Sequence, residues 1–431
     1  MRVKVGLIAP IVALAVAVPT VEAGVDQPRV SALPGPDLPG TSSPALARAS
    51  ASGTISRSKL RKRLRSLARQ APGASGFYVY DTDARSRRVL FDRKEGKRRK
   101  LASNTKLFTT ATALHRLGAK RRIETRVHVR GNINGKGRLK GNLYLVGGGD
   151  PTLGSSEINS LAKQVKRAGI RRVSGKLIAD DKVFDRKRGV PDSGFGPSPY
   201  IAPLSGLVYG GSTYATDPAL EAGAKLRAKL KKRGVKVGGR VKVRKTPKRA
   251  RGRAPVATVR SPTIAALAEA TNEPSNNFYA EMLLKRLWAT PTRKGTTKGG
   301  TRAVERFARA RGSRVDAKDG SGLTDGNRAA PRDVVRLLRA MRTHKARQAF
   351  YESLPRAGKE GTLDQRMEGT AAAGRCRAKT GTITGVSALS GYCKAGRGKV
   401  AFSLLMNGVR SYDAARNIQD RMVIEIARYR P

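Results

Sequence analysis

Short β-type segments near both ends of the chain constrain its fold more than any other feature. We predict two early strands, Gly73–Tyr80 and Arg87–Asp92. Three late strands are predicted at Ala378–Ile383, Ala388–Tyr392 and Val400–Met406. One helix precedes the early strands and another follows the late ones. This order favours a single five-stranded antiparallel sheet that is built from the two ends of the chain, within an α+β fold.

The two cysteines fit a hairpin between the late strands. If Thr384-Gly385 forms its turn, Cys376 and Cys393 lie directly opposite each other on neighbouring strands. Facing residues on such strands are within disulfide distance, and a disulfide is allowed outside the cytoplasm. The alternative is two separate buried thiols.

The segment Leu101–Gly118 predicts an amphipathic helix with a hydroxyl and an amine near its start. Ser103 and Lys106 are three residues apart and therefore share one face of the helix. A serine becomes a nucleophile when a base takes its proton, and a lysine can be that base only when its amine is neutral. Burial or a second nearby cation lowers a lysine pKa. The alternative is that Ser103 caps the helix and that Lys106 is a solvated surface lysine.

Two further motifs carry polar side chains that suit catalysis. Ser275-Asn276-Asn277 lies at the junction of two predicted helices, the first of which opens at Ser261-Pro262. Lys379–Thr382 begins with Lys-Thr-Gly and lies on the first late strand. Each motif has a structural explanation when taken alone, since serine is a common helix N-cap. Their order, S-x-x-K then S-x-N then K-T-G, and the structural context of each make them significant together.

This set of motifs resembles that of the serine penicillin-interacting enzymes. The chain is most similar to the D-alanyl-D-alanine carboxypeptidase/endopeptidase family of the penicillin-binding protein 4 type. Further stretches that look like this family are Leu143–Leu153, Gly175–Asp185, Tyr200–Leu207, Lys318–Thr324 and Leu354–Leu363. The resemblance implies a β-lactamase/transpeptidase-like domain, with helices on both faces of the sheet. It also implies inserted α/β modules between the first and second motifs.

The resemblance also implies a role for each motif residue. Ser103 would attack the carbonyl of the penultimate D-Ala of a peptidoglycan stem peptide, and Lys106 would take its proton while Lys379 helps to keep Lys106 neutral. Ser275 would relay a proton to the leaving D-Ala, and Asn277 would hold Lys106 and the substrate amide. The residues of the third motif would bind the substrate: Lys379, Thr380, Gly381 and Thr382. The backbone N–H groups of Ser103 and Thr382 would form the oxyanion hole. β-Lactams would acylate the same serine, and no cofactor or metal is implied.

The start of the chain predicts export. Arg2 and Lys4 precede an apolar run, and Val21-Glu22-Ala23 resembles a cleavage site, which is typical of a secretory signal peptide. The apolar run is short for a transmembrane helix, although an uncleaved anchor is the alternative. We predict the following organisation: signal peptide 1–23, flexible linker 24–57, first part of the catalytic domain 58–119, inserted domain or domains 120–257, and second part of the catalytic domain 258–431. The protein would act in the cell wall or periplasmic space, or be secreted.

The charge of the chain points to polyanionic partners. Lys and Arg number 88 against 31 Asp and Glu, a formal net charge of +57. The basic residues are spread along the whole length, which argues against a sequence-specific DNA reader. Export also makes nucleic acid an unexpected partner, so we expect anionic cell-wall polymers instead.

Two other functions are compatible with parts of the pattern. One is a non-catalytic, cationic wall-binding protein on the same fold, and the other is a β-lactamase. The first does not explain why Ser103, Lys106 and Lys379 are all present, and the second needs a deacylating glutamate for which the insertion offers no convincing candidate. We interpret Asp319–Leu323 as a glycine-dependent turn in the wall of the site, with a catalytic Asp319 or Ser321 as the alternative.

Overall fold

A computed structural model describes residues 53–86, 88–211, 215–396 and 398–430. The predicted signal peptide and almost all of the predicted linker lie outside these residues. Ile55, at the end of the predicted linker, is buried and pairs with Tyr429, so the folded part of the chain already includes this residue. Within the described residues, no helix combines the length and apolar character that crossing a membrane requires.

Eleven helices and fifteen strands make up this part of the chain. The helices are α1 (Arg57–Gln70), α2 (Thr105–Ala113), α3 (Ser155–Arg167), α4 (Pro218–Lys232), α5 (Lys248–Arg251), α6 (Ile264–Asn272), α7 (Asn277–Trp288), α8 (Thr297–Arg309), α9 (Pro331–Thr343), α10 (Arg347–Glu352) and α11 (Tyr412–Arg428). The strands are β1 (Gly76–Asp81), β2 (Val89–Arg93), β3 (Arg99–Lys100), β4 (Arg122–Ile133), β5 (Arg138–Val146), β6 (Arg172–Val173), β7 (Leu177–Asp180), β8 (Lys236–Val237), β9 (Lys242–Val243), β10 (Ala257–Thr263), β11 (Val315–Asp316), β12 (Arg328–Ala329), β13 (Cys376–Ile383), β14 (Val386–Ala395) and β15 (Gly398–Asn407).

The central sheet has five antiparallel strands in the order β13-β14-β15-β1-β2, as predicted. Strand β1 alternates between two cores because successive side chains point to opposite faces. Phe77 and Val79 belong to the core that also contains residues of α1 and α11. Tyr78 and Tyr80 face the other core, which contains residues of α2 and α6 to α9. Helices therefore cover both faces, which confirms the predicted α+β, transpeptidase-like architecture.

The disulfide prediction is also confirmed. Cys376 and Cys393 are register partners on β13 and β14 and form a disulfide bond. Between these strands the register runs to the pair Ile383–Val386, which leaves Thr384-Gly385 as the turn. Gly385 has a φ of 71°, a left-handed conformation that glycine adopts without steric cost.

A second sheet lies between the first and second motifs. Its seven strands include the path β10-β4-β5-β6-β8, with β7 and β9 joined to it. Helices α3 and α4 contribute to a hydrophobic core that belongs to this sheet. We propose that the segment is the inserted domain, with its first and last strands, β4 and β10, paired antiparallel.

One predicted element is wrong at the end of this segment. Ser261-Pro262 was expected to open a helix, but both residues belong to β10, and α6 begins after Thr263. The Thr263 side chain accepts a hydrogen bond from the backbone N–H of Ala266 at 3.2 Å and so caps the helix. Pro262 lacks an N–H, and it lies where the β10–β4 register shifts, a position that tolerates proline in a strand.

Candidate active site

Ser103 lies on a short turn rather than on a continuous helix. The predicted helix 101–118 is divided into a single 3₁₀ turn, Ala102–Asn104, followed by α2 and a final π-type turn. Ala102 has a φ of 47°, an uncommon left-handed conformation for a residue with a side chain. Gly322 packs against it so closely that a Cβ atom there would be 1.8 Å from the Ala102 carbonyl oxygen. This packing presents the half-buried Ser103 at the start of α2.

The side chain of Lys106 is completely buried and has three hydrogen-bonding partners. Its Nζ atom lies 2.8 Å from Ser103 Oγ, 2.7 Å from Asn277 Oδ1 and 2.9 Å from the Ser321 carbonyl oxygen. The amide and carbonyl oxygens can only accept hydrogen bonds, whereas the serine hydroxyl can also donate one. An ammonium group donates to all three partners. A neutral amine, with two N–H donors and one lone pair, also fits this set when it donates to the two acceptors and its lone pair faces the Ser103 hydroxyl.

Burial lowers the pKa of Lys106 from its ordinary value of 10.5 to about 7. Asp319, and Glu281 to the extent that its carboxyl group is ionised, oppose this change, because a negative charge favours the protonated amine. Burial and a second nearby cation are the two causes that the sequence predicts for a neutral Lys106. The structure gives burial as the largest cause, and the role implied for Lys379 stays a prediction.

The second motif contributes Asn277 from the first turn of α7. The side-chain oxygen of Asn277 accepts from Lys106, and its Nδ2 atom donates to the Tyr200 carbonyl oxygen at 3.1 Å. Helix α7 is capped by Asn276, whose Oδ1 atom accepts from the Tyr279 N–H at 3.0 Å. The alternative of Ser275 as the N-cap is therefore wrong. Ser275 has a φ of 62° and takes no part in the hydrogen bonds around Lys106, although it lies only two residues from Asn277.

The third motif runs beside Ser103 as part of β13. The Asn104 side-chain N–H donates to the Lys379 carbonyl oxygen at 3.0 Å, which ties the turn that carries Ser103 to the strand. A Cβ atom on Gly381 would lie 3.0 Å from the backbone nitrogen of Ser103, so only glycine permits this approach without a shift. Lys379 is buried and donates to the Thr380 carbonyl oxygen at 3.1 Å. Thr382, the next residue after Gly381, is half-buried.

Asp319 stabilises the turn that the sequence analysis described. Its carboxylate accepts from the backbone N–H groups of Gly322 and Thr324, each at 2.7 Å, and from the Asn327 side chain at 2.8 Å. These bonds hold the turn whose Ser321 carbonyl oxygen contacts Lys106. The contact of Ser321 with the lysine is therefore made by its backbone.

Glu281 is a buried residue of the site that the motifs do not include. Its Oε1 atom accepts from the backbone N–H groups of Gly320 and Ser321, both at 2.7 Å. Burial, and then the charge of Asp319, raises the pKa of Glu281 to about 8, so its carboxyl group is mostly protonated at neutral pH. Glu281 lies four residues after Asn277 on α7, and this helical spacing is the signal that could have identified it.

A serine that lies 2.8 Å from the amine of a buried lysine three residues later, within a transpeptidase-like fold, is typical of the class of serine hydrolases that act through an acyl-enzyme. The model of the D-Ala-D-Ala carboxypeptidase 3 (S13) family matches residues 60–216 and 210–429. The chain belongs to this family and is a serine-type D-Ala-D-Ala carboxypeptidase.

Individual relatives agree with this assignment. A D-alanyl-D-alanine carboxypeptidase from an Actinomadura species is 31% identical over 443 residues, which cover 82% of this chain and 81% of the relative. Carboxypeptidase DacB from Mycolicibacterium smegmatis is 33% identical over 342 residues, or 71% of each chain. The crystal structure of penicillin-binding protein 4 from Haemophilus influenzae has a TM-score of 0.71 at 21% identity, covering 84% of this chain and 99% of that one, and shows the shared fold.

Proposed function

We propose that Ser103 is the nucleophile and Lys106 the general base of the D-Ala-D-Ala carboxypeptidase reaction. The observation that carries this proposal is the 2.8 Å contact between Lys106 Nζ and Ser103 Oγ, inside a set of partners that suits a neutral amine. With a pKa of about 7, a large fraction of Lys106 is neutral at physiological pH. The hydroxyl proton of Ser103 passes to this amine as the oxygen attacks the substrate.

The proposed substrate is a peptidoglycan stem peptide that ends in D-Ala-D-Ala. Ser103 Oγ forms an ester with the carbonyl carbon of the penultimate D-Ala, and the peptide bond to the terminal D-Ala breaks. The departing amine takes up a proton, for which we assign Ser275 as the relay. Water then hydrolyses the ester, which releases the shortened peptide and restores the Ser103 hydroxyl.

Strand β13 is proposed to bind the substrate. A cation and a hydroxyl suit the terminal carboxylate of the peptide, and Lys379 and Thr380 supply them. The backbone N–H groups of Ser103 and Thr382 would stabilise the oxyanion, and the close approach that Gly381 allows supports this pairing. Asn277 would contact the substrate amide as well as Lys106.

β-Lactams are proposed as covalent inhibitors that acylate Ser103. The Haemophilus influenzae protein named above has also been solved in a complex with a β-lactam. A Bdellovibrio bacteriovorus neighbour with a TM-score of 0.50 is described as a peptidoglycan endopeptidase. Because carboxypeptidase and endopeptidase reactions share one acyl-enzyme, we assign both to this site.

We also propose that the protein is exported through the signal peptide at residues 1–23 and docks on anionic cell-wall polymers. The net charge of +57 supports this docking, because a cationic surface is attracted to polyanions. Binding to purified walls should weaken steeply as salt is raised, since salt screens exposed charges. Wall binding that ignores salt would contradict this part of the proposal.

The decisive experiment is labelling of the mature protein with a fluorescent penicillin, beside the Ser103→Ala variant. We expect a stable labelled band in the wild type and none in the variant. No band from a folded wild type would favour the non-catalytic wall-binding protein. Rapid loss of the label with hydrolysis of the penicillin would favour the β-lactamase.

A further inference from the structure

A cavity of about 680 Å³ opens on the catalytic domain beside α9. We name it the arginine groove because five arginines line it: Arg88, Arg311, Arg336, Arg339 and Arg342. The hydroxyl-bearing residues Thr82 and Thr343 also line this groove. Such a concentration of guanidinium groups around a concave surface is suited to an anion.

Helix α9 provides three of these arginines at helical spacing. Arg336, Arg339 and Arg342 are three residues apart, so they follow one side of the helix. At a rise of about 1.5 Å per residue, they span roughly 9 Å along the helix axis. The groove therefore offers a row of positive charges rather than a single one, which fits an extended ligand with repeated negative groups.

Carboxylates neutralise this row only in part. Arg342 pairs with Asp83, and Arg336 lies 3.3 Å from Asp333. Arg339 instead stacks over the Tyr80 ring, 4.2 Å from its centroid. Within the described residues, the other three groove arginines, Arg88, Arg311 and Arg339, have no ion pair with a carboxylate.

Aromatic contacts hold two of the guanidinium groups in place. Arg311 lies over the Phe307 ring at 3.8 Å, in the same manner as Arg339 over Tyr80. Stacking restricts a guanidinium plane while leaving its edge able to donate hydrogen bonds. Arg311 already uses part of its edge, since it donates to the Phe307 carbonyl oxygen at 3.2 Å and lies 3.3 Å from His115 Nδ1. Arginine in such an arrangement is adapted to the paired oxygens of a phosphate, which it can bind with two parallel hydrogen bonds.

The end of the groove that the β1–β2 connection forms lies at the opposite edge of the central sheet from the Lys-Thr-Gly strand. Thr82 and Arg88 belong to the connection between β1 and β2, whereas the Lys-Thr-Gly motif is on β13. Strands β2 and β13 are the two opposite edges of the five-stranded sheet. Four strand spacings separate these edges, or about 19 Å. A ligand in the groove would therefore leave the substrate cleft open.

We propose that the arginine groove binds the phosphate groups of a phosphodiester-linked cell-wall polymer and holds the enzyme on the wall while the active site remains free. This inference rests on the proposed wall docking and gives it a specific site. A polymer is favoured over a membrane surface because the groove is concave. In addition, the exposed large apolar residues of the described chain, Ile133, Tyr200 and Leu220, are not among those that line it.

The test compares two variants of the mature chain that lose the same charge. The groove variant is Arg88→Gln/Arg336→Gln/Arg339→Gln. The control is Arg130→Gln/Arg167→Gln/Arg227→Gln, which removes three exposed arginines of the inserted segment. Binding is measured by co-sedimentation with purified bacterial walls that carry a glycerol-phosphate polymer. The same walls, stripped of the polymer by hydrofluoric acid, give the background.

We expect the groove variant to bind the polymer-bearing walls about a hundredfold more weakly at about 0.15 M salt, with a salt dependence shallower by about two units of log–log slope. The control should bind within a fewfold of the wild type. Stripped walls should retain little of any of the three proteins. Normal penicillin labelling of the groove variant would show that it is folded.

Several results would overturn the inference. An equal loss of binding in the two variants would mean that general charge holds the enzyme, so wall docking would stand and the groove assignment would fail. If the wild type does not bind the walls, both the wall docking and the groove assignment fail.

Soluble probes give a further check, since long-chain polyphosphate should compete with the walls more strongly than polyglutamate of matched charge. Anionic phospholipid vesicles that competed better than polyphosphate would assign the groove to membranes instead.

Discussion

The side chain of Lys106 donates to the side-chain oxygen of Asn277 across 2.7 Å. The two residues come from helices α2 and α7, which lie on either side of the inserted segment in the chain. The bond fixes one N–H of the amine, and the Ser321 carbonyl oxygen fixes another at 2.9 Å. When the amine is neutral, only its lone pair remains, and this lone pair can accept the hydroxyl proton of Ser103.

This geometry predicts how acylation depends on pH. The neutral form of Lys106 prevails above its pKa of about 7. The rate of labelling by a fluorescent penicillin should therefore fall by about tenfold for each pH unit below 7 and level off above it. Stopped-time labelling between about pH 5 and pH 9 would measure this profile, with circular dichroism as the control for folding. A flat profile would exclude Lys106 as the titrating base.

The same pKa predicts a change in stability when Lys106 is replaced by methionine. The folded pKa of Lys106, about 7, is below its ordinary value of 10.5. The folded state therefore binds fewer protons than the unfolded state, and wild-type stability should rise as pH increases from 7 towards 10.5. The stability of Lys106→Met relative to the wild type should thus fall by about 2–3 kcal/mol between about pH 6 and pH 9.

Denaturant unfolding of the two proteins at both pH values measures this difference. Lys163→Met, at an exposed position on α3, is the matched control and should show no comparable dependence on pH. A pH-independent difference for Lys106→Met would mean that Lys106 does not lose its proton in the folded state.

Glu281 is predicted to act through shape and hydrogen bonding rather than through charge. Glu281→Gln keeps an oxygen that can accept from the Gly320 and Ser321 N–H groups, and it matches the neutral state of the carboxyl group. We expect acylation within about threefold of the wild type at neutral pH. Glu281→Ala leaves both N–H groups without this partner and should destabilise the protein by about 2–4 kcal/mol. Equal, large losses of labelling in both variants would instead indicate that the carboxylate charge is required.

Gly381→Ala is predicted to separate β13 from the nucleophile. The new methyl group would lie 3.0 Å from both the Leu101 carbonyl oxygen and the Ser103 nitrogen. We expect labelling to slow by about ten- to a hundredfold, because a small displacement of the reacting groups is costly in catalysis. Gly73→Ala, where a Cβ atom meets nothing within 4 Å, is the control. Wild-type labelling by both variants would show that β13 does not shape the oxyanion site.

Removal of the disulfide should weaken the fold without abolishing the chemistry. The bond closes a loop between residues 17 positions apart, for which the loss of stability is about 3 kcal/mol. The double variant Cys376→Ser/Cys393→Ser should show this decrease in denaturant unfolding and still label with penicillin. The wild type under reducing conditions should match the variant. Unchanged stability in both cases would show that the bond does not form in solution.

Much of this arrangement is open to prediction because it depends on short-range geometry. Ser103 and Lys106 are three residues apart, and their side chains lie within hydrogen-bonding distance although Ser103 is on the 3₁₀ turn that precedes α2. The pairing of Cys376 with Cys393 follows from one turn position, since antiparallel register is then fixed along the whole hairpin.

Other features depend on contacts between distant segments and leave no local signal. Burial of Lys106 is produced by α7 and the Asp319 turn, so its extent does not follow from the local sequence around Ser103. The sequence favours a helix start at Pro262, because proline is common in the first turn of a helix. Pairing of β10 with β4 overrides that local preference.

The pairing of β1 with β15 determines when this enzyme can become active. Gly76 is the register partner of Leu405, so the middle of the sheet requires strands made at the beginning and near the end of synthesis. Contacts of such large sequence separation form slowly, because a long loop must close before they provide any stabilisation. A chain that ends before β13 therefore contains Ser103 and Lys106 but lacks the strand that we propose binds the substrate. Acylation should begin only after the last strand has been made and paired with β1.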